Sequence, residues 1–289
     1  MNTLILAIVA SAALFACSSA PVTTAPASPE KAGNVEAPKK TTRVVTVRVP
    51  VEQKASIRFA DGTLDEYTLS EYDPTLTQIQ VQTKYSASGA LRERTEYAYR
   101  DGLLVSKTAK DSEGSATSRR LYTYDAAGRV IREVLEDRSG KAISSFEYGY
   151  DAAGHKIKWV VKDTAGTPIA ETTYSYAGGK VLSAELRDGT GKKSGASAYE
   201  YDAEGRMVIQ RFQDALGSLL RVETTVWKDG RIAKEERATA GGLVQQRTTY
   251  DYGTDGQIVR KTIEDIIGKS KQIIEYEYTI REDKKTVEE

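Results

Sequence analysis

Few residues of this chain are equipped for chemistry, and their number limits what that chemistry can be. There is one cysteine, Cys17, and one histidine, His155. One cysteine cannot close an intramolecular disulfide, and metal sites or acid–base dyads built on Cys and His are excluded by count. His155 follows Gly154 directly, and the corresponding positions elsewhere hold Arg129, Lys180, Arg206, Arg231 and Gln257. A slot that accepts Arg, Lys or Gln asks only for a polar side chain, and neither a nucleophile nor an orienting acid marks His155 as catalytic. Gly189-Thr-Gly-Lys-Lys-Ser194 has the residue types of a phosphate loop without its spacing, and reads as a Gly-rich hairpin turn. Asp125, Asp151, Asp163, Asp202 and Asp214 each stand singly in a turn, whereas calcium needs six or more oxygens converging in one loop. No catalytic residue, metal, cofactor or small-molecule substrate is expected, and the chain is read as a non-enzyme.

The chemistry that remains is aromatic. Of the 17 tyrosines, fifteen fall into a Tyr-x-Tyr register. Its second aromatic recurs at Tyr99, Tyr124, Tyr150, Tyr176, Tyr201, Trp227, Tyr252 and Tyr278, at steps of 25 or 26 residues, and Tyr72 extends the series upstream at a spacing of 27. Tyr148, Tyr150, Trp159, Tyr174, Tyr176, Tyr199, Tyr201 and Trp227 form a candidate binding surface that could stack on a sugar ring or a peptide, since Trp and Tyr dominate binding surfaces. The competing reading is cross-strand packing. Thr225 and Trp227 interrupt the Tyr-x-Tyr pattern, so a ligand site using the stripe would centre there.

The elements that carry these residues follow from the turns. Each period holds two, most of the form Asp-x-x-Gly: one group ends in Gly128, Gly154, Gly205 and Gly256, and the other, half a period away, includes Asp137-Arg-Ser-Gly140 and Asp163-Thr-Ala-Gly166. The Asp carboxylate accepts the amides of its own turn, and the glycine supplies the positive φ that closes a type I turn with a bulge. The nine or so residues between turns are too short for helices and rich in β-branched and aromatic types. The predicted fold class is all-β: a long antiparallel β-meander of hairpin repeats with a period of about 26 residues, forming an extended or coiled, largely single-layer sheet. Both predicted faces mix apolar with charged residues, which disfavours a membrane barrel, whose outer face must be continuously apolar.

Tyr122-Thr-Tyr-Asp-Ala-Ala-Gly-Arg129 and Tyr199 to Arg206 resemble the YD repeat of the Rhs family, over roughly residues 56–278. Large members wind such hairpins into a hollow shell around a toxin domain. The resemblance implies the hairpin architecture but not the encapsulating role, because the repeats are too few for a closed shell and neither the conserved core-associated region nor a C-terminal toxin domain is evident.

At the other end, Leu4 to Phe15 is an apolar run of twelve residues, suited to a signal-peptide core and short of the ~20 needed to span a bilayer. It leads into Leu14-Phe15-Ala16-Cys17, which resembles the lipobox of bacterial lipoproteins. That resemblance implies cleavage before Cys17, acylation of Cys17 (a palmitate-type anchor) and, with Ser18 next, sorting to the outer membrane, facing the periplasm or the surface. The expected organisation is 1–16 signal peptide, 17–42 lipidated cysteine and unstructured tether rich in Ser, Ala and Pro, 43–281 repeat domain, and 282–289 a charged tail. Lys+Arg and Asp+Glu balance at 41 each, so no basic excess points to nucleic acid. The expected partners are a membrane, through the lipid anchor, and a protein or glycan ligand. The leading functional expectation is a non-enzymatic binding or structural module of the envelope. The alternatives are a carbohydrate- or cell-wall-binding module using the Tyr/Trp stripe, and a remnant or accessory of an Rhs toxin casing.

Overall fold

The computed structural model of the chain describes residues 42–288. Eighteen strands fill them: β1 (Thr42–Phe59), β2 (Leu64–Tyr72), β3 (Ile79–Ser86), β4 (Leu91–Arg100), β5 (Leu103–Lys110) and β6 (Ala116–Tyr124). They continue as β7 (Val130–Asp137), β8 (Ala142–Tyr150), β9 (Lys156–Lys162), β10 (Pro168–Ala177), β11 (Lys180–Asp188) and β12 (Lys193–Tyr201). The series ends with β13 (Met207–Asp214), β14 (Leu219–Lys228), β15 (Arg231–Thr239), β16 (Val244–Tyr252), β17 (Ile258–Asp265) and β18 (Ser270–Glu288). No helix occurs among the described residues. The residues expected as a separate charged tail, as far as 288, instead prolong β18.

Each strand pairs with the next in the chain, as a meander requires. In addition β1 pairs with β18, so the sheet closes on itself. The expectation of an open sheet, and of too few repeats for closure, is corrected on this point. The seam is held by side chains as well, with Lys54 paired to Glu277 at 2.8 Å and Arg58 to Glu275 at 2.9 Å. Closure removes both exposed edges, which would otherwise recruit foreign strands.

The layer is single. Among the described residues no large side chain is fully buried, and the buried apolar set is Val51, Val160, Val181 and Ala184. A closed barrel of about this many strands is too wide for its own side chains to fill.

Two turn designs recur. In Asp125–Arg129 the Gly128 amide donates to the Asp125 carbonyl at 3.0 Å and the Asp125 amide to the Arg129 carbonyl at 2.9 Å. Asp125 Oδ1 accepts the amides of Ala127 and Arg129. Gly128, Gly154, Gly205 and Gly256 have φ of +76°, +88°, +81° and +84°. Three hairpins use shorter two-residue turns, Asp101-Gly102, Gly178-Gly179 and Asp229-Gly230, with both residues at positive φ. That is the geometry of primed turns, which match the twist of the flanking strands.

A β-bulge follows the turn in these hairpins. Tyr124 pairs with Val130 while Thr123 pairs with Arg132, leaving Ile131 as the extra residue. The same shift recurs at Tyr99/Leu104, Tyr150/Lys156, Tyr176/Val181, Tyr201/Met207, Trp227/Ile232 and Tyr252/Ile258. Simple alternation assigns Val130 and Leu135 to opposite faces. The bulge brings Val130 opposite Tyr124, and bulges of this kind add the local twist that bends a sheet.

Candidate functional site

The strand register places all eight candidate binding aromatics on one face. Tyr148 and Tyr150 lie on β8, and Trp159 joins them through its pairing with Tyr148. Tyr174, Tyr176, Tyr199, Tyr201 and Trp227 occupy the same parity on β10, β12 and β14. This aromatic face is the more buried one: Tyr122, Tyr124, Tyr199 and Tyr201 are partly buried, while the intervening Thr123 and Glu200 are exposed.

The second aromatic of each pair is committed to a backbone bond. Tyr150 Oη donates to the carbonyl of Val130 at 2.7 Å, twenty residues upstream. Tyr124 does so to Leu104, Tyr176 to Lys156, Tyr201 to Val181, Tyr252 to Ile232 and Tyr278 to Ile258, at 2.7–2.9 Å. Every acceptor is the residue that pairs with the previous repeat's second aromatic, next to the extra residue of the bulge. The ladder therefore runs hand to hand through the repeats, and each rung satisfies a carbonyl that the bulge removes from the regular pairing.

The ring faces of these aromatics are covered as well. The residue after the turn glycine of one repeat lies over the second aromatic of the next: Arg129 over Tyr150 at 4.7 Å, Lys180 over Tyr201 at 5.4 Å, Arg206 over Trp227 at 5.5 Å and Arg231 over Tyr252 at 5.4 Å. His155 fills this slot over Tyr176, stacked at a centroid distance of 4.7 Å, with its Nδ1 2.9 Å from Asp151 Oδ2. Arg129 and Arg206 make the same bond to their turn aspartates, Asp125 and Asp202. The slot is thus more than generally polar. It selects a flat or cationic group that lies on a ring, which the sequence pattern alone does not reveal.

The first aromatics meet a second series of partners, fifteen residues upstream. Tyr148 Oη donates to Glu133 at 2.7 Å, and Tyr97 and Tyr250 donate to Gln82 and Glu235. Glu133 also holds Arg120 at 2.6 Å. Burial, reinforced by Glu133, pushes the Tyr148 hydroxyl far above its ordinary range. Burial lowers the ammonium groups of Lys107 and Lys156, which lie over the rings of Tyr97 and of Tyr148 and Tyr174. Trp159 stacks on Phe146 at 6.3 Å, and its buried Nε1 has no hydrogen-bond partner.

Charge occupies both faces. Arg120–Glu133 and Lys84–Glu66 lie on the aromatic face. Lys110–Glu96, Lys158–Glu171, Lys162–Glu147 and Arg260–Glu275 lie on the other. Whichever face turns outward, ion pairs interrupt the apolar band that a lipid-spanning barrel requires. Among the described residues no three His, Cys, Asp or Glu side chains gather as a metal site. Cys17 lies outside the described residues.

No family profile matches the chain, and no curated protein matches it. Solved structures do resemble it. A porin-like protein from Bacteroides uniformis is 11% identical, with 79% of this chain aligned to 98% of that one at a TM-score of 0.41. A porin-like protein from Bacteroides vulgatus is 12% identical over 79% and 98% of the two chains, at 0.32. The Photorhabdus luminescens Tc holotoxin pore is 12% identical at a TM-score of 0.23, with 75% of this chain covering 15% of that one.

Proposed function

We propose that the chain is a membrane-anchored lipoprotein of the bacterial envelope whose closed β-wall is a non-enzymatic binding or structural module. One observation carries this reading: the second aromatics are bonded and stacked into their neighbours, as in the Tyr150–Val130 and Arg129–Tyr150 contacts. A wall whose repeated groups serve one another is built for rigidity rather than turnover, and a repeated unit makes a continuous surface instead of one concave reaction site. The charges on both faces keep the wall from spanning the hydrocarbon core, so stable anchoring falls to Cys17. Metabolic labelling with a palmitate analogue tests the anchor: label on the wild type and none on Cys17→Ala is the expected result. Label retained on Cys17→Ala would show that the acyl group lies elsewhere, and an unlabelled wild type would remove the anchor reading.

A second reading, a carbohydrate- or cell-wall-binding module, has its best support at Trp159, whose indole N–H is unpartnered beside Phe146 and Tyr148. Glycan arrays comparing wild type with Trp159→Ala test it, and equal binding by the two would remove it. The Rhs-casing reading has its support in the hairpin repeat.

A further inference from the structure

Antiparallel alternation gathers the turns that follow odd-numbered strands on one rim of the wall. At each of four consecutive turns of that rim a large apolar residue is exposed. Leu216, in the turn after β13, is 92% exposed, and Leu220 just beyond it 57%. Leu243, in the turn after β15, is 59% exposed, and Ile267, in the turn after β17, is 56% exposed beside Ile266. Phe59, where β1 ends, is 51% exposed and completes the arc across the seam. Backbone bonds hold these turns in line: the Ala240 amide donates to Leu220 at 3.1 Å and the Ile266 amide to Gln245 at 2.8 Å. Farther round the same rim the turns are polar: Asp111-Ser-Glu-Gly, Asp137-Arg-Ser-Gly and Asp163-Thr-Ala-Gly.

Single exposed apolar residues need no explanation, but a contiguous set marks an interaction site. We infer that this arc of turns inserts its tips shallowly into a phospholipid surface. The tips stand at turn apices, so they are convex, and a fluid bilayer conforms to convex apolar groups where a protein partner must offer a matching hollow. Lys269 and Lys271 follow Ile266 and Ile267 and suit the headgroup layer. The length of chain before β1 brings a bilayer within reach, a step that rests on the lipoprotein reading. β1 spans 18 residues, which places its start up to ~60 Å from Phe59, while the 24 residues between Cys17 and Thr42 extend to at most ~80 Å.

The test uses the full chain with Cys17→Ser, so that no acyl group contributes. A polarity-sensitive fluorophore is placed at Leu216→Cys and, as the control, at Ser139→Cys on the polar arc. Phosphatidylethanolamine–phosphatidylcholine vesicles should shift the Leu216→Cys emission to the blue and expose it to quenching by nitroxide lipids, with the Ser139→Cys probe unmoved. Ile267→Asp added to the Leu216→Cys protein should weaken that response about tenfold in lipid concentration, with the circular dichroism spectrum retained. An unresponsive Leu216→Cys probe, equal responses at both positions, or a lipid-independent shift that grows with protein concentration would overturn the inference. The last result would assign the arc to a second copy of the chain. Because Cys17 is absent throughout, failure here leaves the anchor reading standing, and failure of acyl labelling leaves this one standing.

Discussion

The indole Nε1 of Trp227 donates to the carbonyl of Met207 at 2.9 Å, the bond that Tyr201 Oη makes to Val181 one repeat earlier. Trp227 interrupts the Tyr-x-Tyr pattern in sequence yet keeps the ladder intact, because what the rung needs is a flat ring with a donor at its far edge. Trp227→Tyr should therefore be tolerated. Trp227→Phe should leave the Met207 carbonyl without this donor and cost about 1 kcal/mol, read as a lower urea midpoint at unchanged slope.

The ring-stacking slot makes a second prediction. His155→Arg restores the residue type that covers Tyr150, Trp227 and Tyr252 and should change stability by less than about 0.5 kcal/mol. His155→Ala loses both the Tyr176 stack and the Asp151 bond and should cost about 0.5–1.5 kcal/mol. Thermal denaturation of the two variants separates them, and any assayable binding should survive both.

Turn glycines differ in what they do. Gly154 sits at φ +88°, where a Cβ costs roughly 1–2 kcal/mol, so Gly154→Ala should lower the denaturation midpoint. Gly241 is not at positive φ, and a Cβ there meets no closer neighbour than Thr239 Oγ1 at 3.9 Å, so Gly241→Ala should be near neutral. Equal losses from the two would remove the φ argument.

Stability should fall at both ends of the pH scale. The Arg129 amide holds Asp125, the His155 side chain holds Asp151 and the Ser218 amide holds Asp214 below the usual carboxylate range. A depressed carboxyl stabilises the fold above its unfolded value of ~3.9, and that contribution is lost as pH falls through the folded values. Burial raises the hydroxyls of Tyr122, Tyr199 and Tyr278 to about 12. Their contribution is complete below the unfolded value of ~10 and is lost as pH climbs from there to about 12. Tyrosinate absorbance should accordingly rise late in the native protein, and together with unfolding.

Closure predicts an all-or-none response to truncation. Removing β18 exposes the edges of β1 and β17, so a chain ending at Lys269 should associate and lose its single cooperative transition. An open repeat array would merely shorten by one strand. Size-exclusion chromatography with light scattering distinguishes the outcomes.

The sequence by itself determined the strands, most of the turns and the stripe. A two-residue side-chain period, Asp-x-x-Gly turns and a step of 25 or 26 residues are local features, and β2–β17 with the aromatic face follow from them. Two-residue turns such as Asp229-Gly230 were equally local, although they lie outside the Asp-x-x-Gly pattern. Tertiary structure alone decided the rest. Whether β1 meets β18 depends on twist accumulated over eighteen strands, to which each bulge adds a little and which no single repeat encodes. The bulge residues, the carbonyl each second aromatic serves, and the place of His155 over Tyr176 are relations between neighbouring repeats, invisible within one. The apolar arc is of the same kind: Leu216, Leu243, Ile267 and Phe59 are far apart in the chain, and only the alternation of strands and the closure of the sheet set them side by side.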